Sequence, residues 1–179
     1  MMNLTKNPKI GMKNMTSLQT KTFLIAFIFK YLDVFMYKMS IKKILVPLDN
    51  SKNSFRGLSS AITLAKTSGA KIIAVHSVYA PPKGDFETSG RFNKDHKKQL
   101  NKMMEIAQKQ CDRVNVDFEE KLLYGNPGHM IAKFANTPRN KIDLVVLGSR
   151  GRSSAKEIFF GSTSQFVLHK VKCPVLIVK

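Results

Sequence analysis

Residues 143–178 read DLVVLGSRGRSSAKEIFFGSTSQFVLHKVKCPVLIV. Asp143–Leu147 is an apolar run behind a single acid, too short for a helix and closed by glycine, which is how a buried strand reads. A long glycine-bearing loop follows. Gly161-Ser162-Thr163 then opens a helix that runs to Lys170, and Cys173–Val178 (CPVLIV) is a second apolar run. Two short strands that are apolar on both sides, joined by a helix, belong to a parallel sheet covered on both faces.

The same unit recurs toward the amino end. Ile41–Pro47 (IKKILVP) reads as a strand. Ser51 and Asn53 are helix N-cap types, Phe55, Leu58, Ile62 and Ala65 recur at helical spacing, and Gly69 stops the helix. Lys71–Val78 (KIIAVHSV) is a second buried strand, and Ala80–Arg91, with two prolines and two glycines, is a loop. Leu100, Met103, Met104, Ala107 and Cys111 mark an amphipathic helix, and Val114–Tyr124 a strand with partial alternation. Gly125-Asn126-Pro127 is a turn with Pro127 placed to begin a helix, on which Met130, Ile131 and Phe134 face inward. The order is β-α-β-α-β-α-β-α-β, an α/β domain with a parallel sheet and right-handed crossovers. Such a sheet takes ligands beyond the carboxyl ends of its strands, where strand order reverses. The chemistry is therefore expected at Asp49, at Ser77–Ala80 and from Gly148 onward.

The loop after the fourth strand carries the spacing G-x2-G-x9-G-[ST]-[ST], at Gly148, Gly151, Gly161, Ser162 and Thr163. Glycines let backbone N–H groups approach a phosphate with no Cβ in the way. The helix opened at Gly161 adds amides and a dipole that favour an anion, and Arg150, Arg152 and Lys156 add positive charge. Three glycines alone are equally well read as turn residues, with Ser162 as a plain cap. The strand before the loop and the helix after it favour phosphate binding. Asp49 closes the first strand, where a carboxylate accepts hydrogen bonds from ribose hydroxyls; alone it would equally be an Asx turn.

Composition bounds the rest. At 179 residues, 43% hydrophobic and 23% charged, the chain is globular and about one domain long. Lys and Arg number 30 against 12 acids, a net charge of +18 that attracts phosphates, nucleic acids and anionic lipid. A solvated basic surface outweighs a nucleic-acid footprint, because interleaved aromatics and a basic recognition helix are missing. Cys111 and Cys173 are far apart and make no CxxC, so reduced thiols in the cytoplasm are expected. The four histidines have no metal-ligand spacing. His76 reads as a satisfied core residue, His129 as a helix-terminus residue, and Glu157 as a solvated loop acid rather than an aid to Mg²⁺. No Walker, G-x-G-x-x-G or G-x-S-x-G pattern occurs, and no catalytic residue or metal ligand is assigned.

Taken together, KKILVPLDNS, AVHSV, LVVLGSRGRSSAKEIFFGSTSQ and CPVLIVK resemble the universal stress protein family over about Met39–Lys179. The resemblance implies a flavodoxin-like three-layer sandwich, a five-stranded parallel sheet of order 3-2-1-4-5 with about four helices. It also implies an ATP site, with ATP alone or with Mg²⁺. By the same resemblance Asp49 would hold the ribose. Gly148, Arg150, Gly151, Gly161, Ser162 and Thr163 would hold the phosphates, and Pro47 and Ser77 would lie near adenine and ribose. The position of Ser77 is often Val in the family. A homodimer joined antiparallel through the strand at 174–178 is implied as well.

Residues 1–38 have no counterpart in that family pattern. They carry +5 of the net charge, and within them residues 22–37 (TFLIAFIFKYLDVFMY) are apolar but interrupted by Lys30 and Asp33. A membrane span needs ~20 mostly apolar residues, and no signal-peptide cleavage pattern follows. The reading is an extension outside the functional domain, ahead of a domain at 39–179; a helix packed on the domain or lying on a membrane surface, and a poor membrane span, are the alternatives. Three functions follow in order: a dimeric ATP-binding regulatory module with little turnover, a slow nucleotide hydrolase or nucleotide-dependent enzyme on the same site, and a nucleic-acid or anionic-membrane binder.

Overall fold

A computed structural model describes residues 41–78, 94–151 and 161–179. The apolar run at 22–37, the loop at 80–91 and the residues Arg152, Lys156 and Glu157 lie outside the described residues. Five strands form one sheet: β1 Lys43–Pro47, β2 Lys71–Val78, β3 Phe118–Tyr124, β4 Leu144–Gly148 and β5 Val175–Val178. Its order is β3-β2-β1-β4-β5 and every pairing is parallel. Four helices connect them: α1 Lys52–Ser68, α2 Lys94–Asp112, α3 Pro127–Asn136 and α4 Ser162–Lys170.

The strands are apolar throughout because both faces are covered. Ile44, Val46, Ile72, Ala74, Leu144 and Val146 point to one face, beneath Leu58, Ala61 and Ala65 of α1 and Met103, Met104, Ala107 and Cys111 of α2. Leu45, Ile73, Val75, Val145 and Leu147 point to the other, beneath Ile131 and Ala135 of α3 and Val167 of α4. The result is the three-layer, flavodoxin-like sandwich that the resemblance implied.

Local chemistry sets the element ends. Ser51 caps α1 by accepting the Ser54 N–H (3.1 Å), and Gly69 ends it at φ +69°. Asn126 caps α3 by accepting the His129 N–H, with Pro127 in the first turn. β3 starts at Phe118 and not at Val114. The N–H groups of Val114 and Val116 both donate to the Cys111 carbonyl (3.1 Å each), and Asn115 sits at φ +55°. An asparagine thus makes the left-handed helix exit usually made by glycine. α2 starts at Lys94, earlier than its apolar periodicity, because its first turn is polar.

Candidate functional site

The sheet is stitched between β1 and β4 at one end and parted at the other. Their ladder spans only Ile44–Leu144 and Leu45–Val145. At the amino end Asp143 closes the seam. Its N–H donates to the Lys43 carbonyl (3.0 Å), and its Oδ2 accepts the N–H groups of Lys42 (2.8 Å) and Lys43 (2.9 Å). At the carboxyl end each strand follows its outer neighbour. The Leu48 N–H donates to the Val75 carbonyl (2.8 Å), and the Ser149 N–H to the Val178 carbonyl (2.7 Å). β1 and β4 meet where strand order reverses, the place where open α/β sheets carry a crevice.

A cleft of about 210 Å³ opens there. Its wall includes Pro47, Asp49, Ser77, Gly148, Arg150, Gly151, Gly161, Ser162 and Thr163, nine of the ten residues assigned from sequence. The tenth, Arg152, lies outside the described residues. Sequence reading missed Ser54, Val75, Pro127, Ile131, Leu147 and Ser164, which line it too. Pro127 was legible only as a helix starter and Ile131 only as a core residue. His76 is buried and hydrogen-bonded as expected, yet it also reaches the cleft wall.

The glycines have different reasons. A Cβ on Gly148 would stand 2.5 Å from the Asn53 carbonyl oxygen, so the start of α1 packs directly on the end of β4. A Cβ on Gly151 would stand 2.5 Å from Asp49 Oδ2. Gly161 differs: its φ is −62°, and a Cβ there would meet its nearest neighbours, Arg150 Cα and Ser149 O, at 3.5 and 3.6 Å. The surrounding described chain does not require a glycine at this position.

Gly161 is also the N-cap of α4, and among the described residues no side chain caps that helix, whereas Ser51 and Asn126 close α1 and α3. The start of α4 is fixed from below. Ser164 Oγ, in a buried residue, lies 2.9 Å from the Gly148 carbonyl and 3.3 Å from that of Ser149, and the Gly161 N–H donates to Ser149 O (2.8 Å). Across the cleft, Asp49 Oδ1 accepts the Ser51 N–H (3.0 Å), so the Asx turn is real, while Oδ2 is the oxygen turned toward Gly151. Ser77 donates its hydroxyl to the Gly125 carbonyl (3.0 Å), which leaves its oxygen as an acceptor at the wall.

Both cysteines are free and lie off the cleft; burial pushes the Cys111 thiol up to about 11 and raises that of Cys173. Among the described residues no group of histidine, cysteine and acid side chains could hold a metal, and no helix is long and apolar enough to cross a membrane.

The family model of the universal stress protein family matches residues 40–179. The chain belongs to that family. It is 30% identical over 144 residues to a universal stress protein of Methanocaldococcus jannaschii, covering 77% of this chain and 82% of the relative. Among solved structures, the universal stress protein UspA of Lactobacillus plantarum superposes with a TM-score of 0.70 at 23% identity, over 78% of this chain and 98% of that one. This likeness supports the fold. A universal stress protein of Archaeoglobus fulgidus, solved in complex with dAMP, gives a TM-score of 0.60 at 26% identity, over 77% of this chain and 98% of the other. The universal stress protein sheet here has the 3-2-1-4-5 order expected from the resemblance.

Proposed function

We propose that the cleft binds ATP and that this universal stress protein acts as a dimeric regulatory module with little turnover. The observation that carries the reading is the uncapped start of α4 at the cleft wall, with Gly161 as its N-cap and Asp49 on the facing wall. Helix-start amides suit phosphate oxygens, and Arg150 adds a fixed positive charge. Asp49 Oδ2 suits ribose hydroxyls. Pro47, Val75, Pro127 and Ile131 offer an apolar surface for a base. The dAMP complex of the Archaeoglobus fulgidus relative supports an adenine nucleotide.

The dimer reading rests on a contrast between the two sheet edges. β3 carries Glu119, Glu120 and Lys121, charges that discourage pairing with another sheet, whereas β5 reads Val-Leu-Ile-Val with Leu176 exposed. Titration calorimetry with ATP, ADP and adenosine tests the ligand, and prolonged incubation with product analysis tests the turnover. Absence of ATP binding by the intact chain would refute the reading.

A further inference from the structure

Asp49 follows β1 by two residues, beyond the last paired position, Pro47–Val75. A side chain on such a tail needs its backbone fixed if it is to hold a ligand. Two groups hold the peptide that leads into Asp49: the Asp49 N–H donates to Ser54 Oγ at 3.5 Å, and the carbonyl of that peptide is held by His76, on β2. Its ring is 8% exposed, and Nδ1 lies 2.7 Å from the Leu48 carbonyl oxygen. A carbonyl only accepts, so Nδ1 carries the proton. The Leu48 carbonyl belongs to the planar peptide that leads into Asp49, and holding it sets the plane from which Asp49 departs. The chain then turns at Asn50, φ +67°, and the Ser51 N–H donates to Asp49 Oδ1. His76 therefore fixes the peptide before the carboxylate, while Ser51 fixes one of its oxygens.

The position of the imidazole is consistent with this role. It lines the main cleft on one side. On another it lines a 30 Å³ cavity shared with Asp49, Asn50, His96, Gln99, Leu100 and Met103. It therefore stands between the cleft and the back of the Asp49 turn.

We propose that His76 is a positioning residue for nucleotide: its Nδ1–H holds the Leu48–Asp49 peptide so that Asp49 Oδ2 meets the ribose hydroxyls. This inference rests on the ATP reading of the cleft. An asparagine amide nitrogen stands the same number of bonds from Cβ as Nδ1, so Asn can replace the donor. Leu keeps bulk without a donor, and Gln carries its donor one bond farther out.

The test compares ATP with 2′,3′-dideoxy-ATP by titration calorimetry on the full chain and on His76→Asn, His76→Leu and His76→Gln. A hydrogen bond to a charged group corresponds to a preference for ATP of about tenfold or more in the native chain. His76→Leu and His76→Gln are expected to bring that ratio close to one, mainly by weakening ATP, and His76→Asn to keep it. If His76→Leu does not fold, the Asn and Gln pair decides. No ATP binding by the native chain refutes the cleft reading and this inference with it. Native binding with an unchanged ribose preference in the Leu or Gln variant overturns the inference alone. Equal affinity of the native chain for the two ligands, or loss of the preference in His76→Asn, overturns it as well.

Discussion

Gly161→Val separates the ligand role of the glycine loop from its structural role. The native backbone there, φ −62° and ψ 153°, is open to any residue, and an added Cβ would meet its neighbours at 3.5 Å and beyond. Valine is a poorer helix N-cap than glycine, while losing a glycine restricts the unfolded chain by about 0.4–1 kcal/mol. These effects oppose each other, so the net change is expected within about 1 kcal/mol. For a domain of this size that moves the ligand-free thermal midpoint by no more than about 2–4 °C. The effect on ATP is of another order. The branched side chain would start against the Ser149–Gly151 backbone, at the cleft wall where α4 begins, and losing two hydrogen bonds to charged phosphate oxygens there costs about 3–6 kcal/mol. ATP affinity should therefore fall at least about 100-fold. Adenosine, which has no phosphate, should lose less than about threefold. Titration calorimetry with both ligands, beside thermal melts without ligand, reads all of this. A folded variant whose ATP affinity stays close to that of the native chain, or one that loses adenosine equally, would remove the start of α4 as the phosphate site.

Other outcomes follow from the same geometry. Arg150→Ala should weaken ATP about tenfold, with adenosine nearly unchanged, whereas Asp49→Ala should weaken both; calorimetry distinguishes these patterns. Glu119 is held near a pKa of about 2, chiefly by hydrogen bonds from Lys121 and Lys71 (2.8 and 2.7 Å). Because its folded pKa is depressed, its stabilisation is present above pH 4.5 and is lost as pH falls toward 2. Glu119→Gln should therefore lower stability at pH 7, by less than about 1 kcal/mol at so exposed a site, and approach the native chain in denaturant titrations as pH falls below about 2. Sedimentation should find the intact chain dimeric and Leu176→Lys shifted to monomer; a monomeric intact chain refutes the β5 interface. Removing residues 1–38 should leave ATP affinity unchanged, and an insoluble or non-binding truncation would make that segment structural.

The parts of the fold set by short-range rules were legible. Gly69 and Pro127 mark helix ends, and the strand runs are apolar at both parities because helices cover both faces of the sheet. The β3 start was not, because Asn115 made a left-handed exit that the sequence does not distinguish from extended chain, and Val116 is buried from the turn. In the cleft, the glycines could be picked out by their spacing and Asp49 by its place at the carboxyl end of the first strand. His76, Pro127 and Ile131 could not, since each already had an adequate local explanation. Which of them reach the cleft depends on pairings between β1, β2 and α3 that no local pattern encodes.

The seam between β1 and β4 has a mechanical consequence. Asp143 rivets its amino end, two ladder pairs hold its middle, and beyond them the two strands part from each other, each staying with its outer neighbour. A molecule seated in the gap would touch the tails of both halves and act as a brace across the weakest line of the sheet. Load applied between the carboxyl ends of β2 and β5 should tear the empty domain along this seam first. With ligand at 100 times its dissociation constant, the brace adds about 2.7 kcal/mol against opening, so the rupture force would itself report occupancy.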